Sequence, residues 1–184
     1  MSKIVVVYHS GYGHTQKIAE AVAAGAGAQL AAINAEGVLA DADWAALNAA
    51  DAIVFGSPTY MGNVSWQFKR FADATSKPWF TRAWQDKLAA GFTNSASLNG
   101  DKAGTLSYLQ TLSNQHGMLW ISLGMPPANS KAATRADVNN LGGSGGLLAA
   151  TPSDASTAEM VDGDLATAKA FGERIKAAVE RVAR

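Results

Sequence analysis

Short, largely apolar runs alternate along this chain with longer stretches whose apolar residues recur every three or four positions. The runs at residues 4–7, 30–33, 52–55, 88–92 and 118–122 lack the polar alternation of half-exposed strands and are too short for helices. They read as five strands covered on both faces. The helical stretches are 14–26, 44–48, 65–74, 102–116 and 165–182. In the last, Leu165, Ala168, Phe171, Ile175, Val179 and Val182 share one face. Asp162 and Asp164 precede that helix and Arg181 and Arg184 close it, the charge placement a helix dipole favours. Asp41 and Asp43 are candidate caps of the second helix; Gly25 and Gly27 end the first and Gly117 the fourth.

Strands alternating with helices predict an α/β chain: a parallel sheet with right-handed crossovers and helices on both faces. Five such units in 184 residues match a flavodoxin-like, doubly wound five-stranded parallel sheet of order 2-1-3-4-5, one domain over residues 1–184. Residues 126–159, with Gly142, Gly143, Gly145 and Gly146, read as an extended surface loop after strand five. In such sheets ligands sit beyond the C-terminal strand ends where the order reverses, here strands one and three, with strand four adjacent.

Composition narrows the classes. The 15 basic and 15 acidic residues balance and are dispersed, which excludes the basic footprint of a nucleic-acid binder and speaks against a strongly acidic electron carrier. With no cysteine and no histidine–carboxylate cluster at ligand spacing, no metal site is expected. No run approaches the roughly 18 apolar residues of a membrane span. The start carries Lys3 and a short apolar run, not a secretory signal, so a cytoplasmic protein is expected.

Each of the three strand ends leads into an unusual loop. The first is Ser10, Gly11, Tyr12, Gly13, His14 and Thr15. Gln16 stands where a dinucleotide fingerprint needs glycine, and no P-loop lysine follows. Two hydroxyls, two glycines and a helix start can hold a phosphate through unpaired N–H groups; the alternative is a plain turn capped by Thr15. The second loop runs through Pro58, Thr59, Tyr60, Met61, Gly62 and Asn63, where backbone polar groups can meet the edge of an isoalloxazine ring and the aromatic tip can pack on it. The third, Thr93, Asn94, Ser95, Ala96, Ser97, Leu98 and Asn99, offers small hydroxyls and amides to a ribityl chain and a pyrimidine edge. Alone it is an ordinary polar loop; the convergence of three at one switch point is the argument for a ligand.

The stretches "YHSGYGHT", "FGSPTYMGNVSWQFKRF", "FTNSASLNG" and "NQHGM" resemble the WrbA-like NAD(P)H:quinone oxidoreductases of the flavodoxin-like superfamily, in order over nearly the whole chain. The resemblance implies FMN as cofactor, its phosphate in the first loop and its ring under the second and third. It implies NADH or NADPH as reductant and a small-molecule quinone as acceptor. Two electrons would pass through flavin N5 in one cavity used twice, a ping-pong scheme with no catalytic side chain. It further implies that Tyr12 lies beside the nicotinamide, that Gln115 lies near the flavin, that Trp79 walls the substrate cavity with His116 as a further substrate-site residue, and that the chain forms a homodimer or homotetramer. The chain departs from the family pattern at Gln115, where a histidine is common, at Tyr60, where an arginine is frequent, and at Leu98 and Asn99, where glycines are usual. The rival reading is a flavodoxin-type one-electron carrier; FMN, azo-dye and chromate reductases share the same fold. For His116 a structural role at the helix end is the competing assignment.

Overall fold

The computed structural model describes residues 3–182, so Arg184 lies outside the described residues. Strands β1 (Ile4–Tyr8), β2 (Gln29–Ala32), β3 (Ala52–Tyr60), β5 (Leu88–Ser95) and β6 (Leu119–Trp120) form a parallel sheet in the order β2-β1-β3-β5-β6. This is the predicted flavodoxin order, since β5 and β6 are the fourth and fifth apolar runs. Helices α1 (His14–Ala26) and α6 (Asp162–Val182) cover one face; α2 (Asp41–Ala49), α3 (Trp66–Ala74) and α5 (Lys102–Gln115) cover the other, and α4 (Ser76–Phe80) precedes β5.

The continuous apolar runs follow from that double cover. Successive strand residues point to opposite faces, so Val6, Val54 and Phe92 pack with Ile18, Val22, Phe171 and Ile175, whereas Val5, Val7, Ile53 and Phe55 pack with Leu47, Phe68, Trp84 and Leu109. Ser65 caps α3, its Oγ accepting from the Phe68 N–H at 3.3 Å. Asp41 and Asp43 lie inside the first turn of α2 and provide no cap; they meet its positive end as charges.

Three further sequence expectations are corrected. Gly25 does not end α1: the helix runs to Ala26 and Gly27 closes it at φ 63°. Gly25 and Gly172 instead face each other where α1 crosses α6, and a methyl group on either would run into the other helix's backbone. The second loop is in part strand, because β3 continues through Tyr60 and turns back into β4 (Asn63–Val64) through Met61 at φ 49° and Gly62 at φ 79°, both central residues left-handed as in the tightest hairpins. Pro58 sits past the end of the ladder with β1, where its missing N–H costs no bond.

The third correction concerns residues 126–159. They are not all loop: β7 (Leu147–Ala150) pairs in parallel with Phe92, Thr93, Asn94 and Ser95 of β5, while β6 pairs only with Leu88 and Ala89. The fifth strand is therefore split, its two halves separated by an insertion. That insertion is tied down rather than loose. The Asn139 side chain donates to Met125 and Gly143 carbonyls at 2.9 and 3.0 Å, and Trp120 Nε1 donates to Gly145 O at 2.6 Å. Asp164, buried at the start of α6, accepts from the Ala150 N–H at 2.9 Å and from Arg135 at 3.0 Å. No helix among the described residues is long and apolar enough to cross a membrane.

Candidate functional site

Three turns leave the C-terminal ends of β1, β3 and β5 side by side, because those strands are neighbours in the sheet. They enclose a cleft of about 230 Å3 lined by Tyr12, His14, Thr15, Pro58, Thr59, Tyr60, Asn94, Ser95 and Ala96, all of them predicted, together with Thr151 and Ser153. The last two escape sequence reasoning. They follow β7, whose four-residue apolar run "LLAA" after a glycine-rich stretch is the available signal.

The floor of the cleft is the start of α1. Gly13 opens the helix at φ 86° with no side-chain cap, so the first N–H groups of the helix have neither an intrahelical acceptor nor a capping oxygen. Beside them Ser10 Oγ is buried without a hydrogen-bond partner. An orphaned hydroxyl at a bare helix N-terminus fits a phosphate monoester. The side chain of His14 is engaged elsewhere. Its Nε2–H donates to Ala155 O at 2.8 Å and pins the turn after β7 over the loop. A side chain at Gly11 would have to displace the Tyr60 hydroxyl, which lies 2.5 Å from where its Cβ would stand.

The walls are fixed from behind. Thr59 Oγ1 lies 2.8 Å from both Thr93 Oγ1 and Thr105 Oγ1, a buried hydroxyl chain that links β3, β5 and α5. Thr151 Oγ1 donates to Asn94 Oδ1 at 3.1 Å. At the mouth Tyr12 and Tyr60 meet edge to face with ring centroids 6.4 Å apart. Burial, and secondarily Tyr12, push the Tyr60 phenol above its ordinary range. His9 is buried with Nδ1 2.8 Å from Ser65 Oγ, and burial holds it below the usual histidine range.

Other predicted residues lie outside the cleft. Met61 and Asn63, at the hairpin tip, border an adjoining groove of about 690 Å3 that shares Tyr60 and is walled by Trp66 and Tyr108. Thr93 is buried behind Thr59, and Ser97, Leu98 and Asn99 continue outward on an exposed loop. Trp79, Gln115 and His116 are not brought to the cleft at all. They sit at the other end of the sheet, near Leu88, the full length of β5 or roughly 20 Å from Ser95. His116 is buried against Trp84, with ring centroids 4.5 Å apart. Its Nε2–H donates to Thr75 Oγ1 at 2.9 Å, because that hydroxyl itself donates to Ala72 O at 2.6 Å. Nδ1 is buried and unpartnered, and burial pushes the imidazole down to about 4.

The chain is similar to several known proteins. The family described as NADPH-dependent FMN reductase matches residues 41–132. The chain is 57% identical to flavodoxin FldP of Pseudomonas aeruginosa over 95% of both chains. It is 34% identical to an NAD(P)H dehydrogenase (quinone) of Archaeoglobus fulgidus, covering 99% of this chain and all of that one. Among solved structures, the flavodoxin, WrbA-like protein from Agrobacterium tumefaciens superposes with a TM-score of 0.82 at 53% identity, covering 98% and 99% of the two chains. An archaeal flavodoxin at 20% identity, with a TM-score of 0.64, shares the fold. Neutral net charge therefore does not separate this chain from proteins named flavodoxins.

Proposed function

The chain belongs to the NADPH-dependent FMN reductase family, whose redox members here share a flavodoxin-like fold, and from that premise we propose that it is an FMN-binding electron carrier of the flavodoxin type. The observation that carries the reading is Ser10 Oγ, a buried hydroxyl left without a partner beside the uncapped start of α1. The phosphate would be held by that hydroxyl, by the first N–H groups of α1 and by Thr15. Thr59, Asn94 and Thr151, fixed by their own hydrogen bonds, would border the rest of the cofactor, and Tyr12 and Tyr60 offer aromatic surface to a flat ring. When bound, FMN supplies the electron chemistry. The cleft lining holds no carboxylate or lysine, and the His14 Nε2–H is committed to Ala155.

A second reading, an NAD(P)H:quinone oxidoreductase, is favoured by the open groove beside the mouth, where Trp66, Met61 and Tyr108 leave room for a second planar molecule. In that reading NADH or NADPH is the reductant and a small quinone the acceptor. Since Trp79, Gln115 and His116 lie far from the cleft of their own chain, any part they took would require a second copy in a homodimer or homotetramer. An anaerobic redox titration of the FMN-loaded protein, paired with NADH and NADPH oxidation assays using benzoquinone, separates the two. The carrier gives two resolved one-electron steps and no turnover above that of free FMN. A single two-electron step with rapid quinone-dependent oxidation would replace it with the enzyme.

A further inference from the structure

Lys102 is a residue in the wrong place by every local rule. It opens α5, where the positive end of the helix dipole repels a cation, and it is 1% exposed, where an ammonium loses its water. Lys87 shows the ordinary arrangement: its Nζ donates to carbonyls at the C-terminal end of α2, where a cation belongs. Lys102 curls back instead over the loop that precedes its own helix. Its Nζ donates to Ser97 O at 2.6 Å, to Leu98 O at 2.9 Å and, more weakly, to Asn99 O at 3.4 Å. Ser95 Oγ donates to the same Ser97 O at 3.0 Å. All three ammonium hydrogens are used on one short stretch of backbone. Burial pushes the lysine down to about 8, with Asp164 acting in the opposite direction and Arg135 adding repulsion.

The consequence lies on the other side of that backbone. The peptide bonds here are trans, so each carbonyl is opposed by the N–H of the next residue. Three carbonyls drawn inward to Lys102 turn the N–H groups of Leu98, Asn99 and Gly100 outward. Among the described residues none of these donates to a backbone carbonyl, and the loop stands exposed directly after Ser95 and Ala96 of the cleft. Successive outward N–H groups form a concavity for an electron-rich edge.

We propose that Lys102 is a positioning residue: by clamping the carbonyls of residues 97–99 it presents the N–H groups of Leu98, Asn99 and Gly100 to the pyrimidine edge of FMN and so stabilises the reduced cofactor over the oxidised one. This rests on the FMN reading of the cleft. A local misfit maintained by the surrounding structure is what a functional constraint looks like, and the clamp gives this one a purpose that a helix start alone does not.

The test compares wild type with Lys102→Met, which fills the same space without donors, in two measurements. In the cofactor-free protein, backbone NMR order parameters at residues 97–100 should fall from about 0.8 to below about 0.6. In the FMN-loaded protein, reduced FMN should lose about tenfold more affinity than oxidised FMN, read as a two-electron midpoint potential lower by about 30 mV. Should Lys102→Met fail to fold, Lys102→Leu, which also lacks donors, is read the same way. An ordered loop and an unmoved potential in the variant overturn the proposal. Absence of FMN binding by wild type would instead refute the cofactor reading, and the order parameters would still decide whether the clamp exists.

Discussion

Replacing Ser10 by Ala should move two properties in opposite directions. In the cofactor-free chain Ser10 Oγ is buried with no partner, and a buried unsatisfied hydroxyl costs about 1–3 kcal/mol. Removing it relieves that cost at the loss of almost no packing volume, so the variant should be more stable by about 1 kcal/mol. For a domain of this size that raises the melting temperature by about 2–4 °C. With FMN present, the same hydroxyl becomes a donor to a charged phosphate, a bond worth about 1.5–3 kcal/mol. Its loss should weaken FMN binding by roughly 10- to 150-fold. Differential scanning calorimetry without cofactor and a flavin fluorescence titration measure the two halves. A variant that melts lower than wild type and binds FMN equally well would refute the assignment of Ser10, because the hydroxyl would then be structural.

Two further predictions bear on the fold. Gly172→Ala should destabilise: helix propensity alone would favour alanine by about 1 kcal/mol, but the added methyl meets the Val22 carbonyl of α1, and overpacking against backbone costs about 1–3 kcal/mol or more. A urea midpoint at or above that of wild type would contradict the close crossing. His116 should titrate near 4 by NMR, not near 6.5. Its folded value lies below its unfolded one, so the unfolded chain binds the extra proton first, and stability is lost as pH falls from about 6.5 towards about 4. A midpoint at 6 or above would show that the ring is not sealed against Trp84 and Thr75.

The strands were legible because double burial leaves a mark: Ile4, Val5, Val6 and Val7 have no polar alternation, the composition of a short strand covered on both faces. The three turns of the cleft were legible for a topological reason, since the strand order determines which ends are adjacent. What escaped was set by contacts distant in sequence. The strand Leu147–Ala150 is four residues long and exists because β5 extends beyond β6 and leaves an edge to be paired. Gly25 reads as a helix stop until α6 is laid against it. Lys102 reads as a surface residue at a helix start, and nothing in its neighbours along the chain signals the carbonyls it folds back to meet. Trp79, Gln115 and His116 were placed by resemblance to an assembled family, whereas their positions in one chain follow from α4 and α5 ending at the opposite end of the strands from the cleft.

The central claim is that the turns after β1, β3 and β5 seat one FMN, and titration of the cofactor-free protein with FMN tests it most directly. The account predicts flavin fluorescence that changes to saturation at one FMN per chain, with affinity falling in Ser10→Ala. A titration that shows no saturable change, or one that saturates identically after Ser10→Ala and Thr15→Ala are combined, would contradict it.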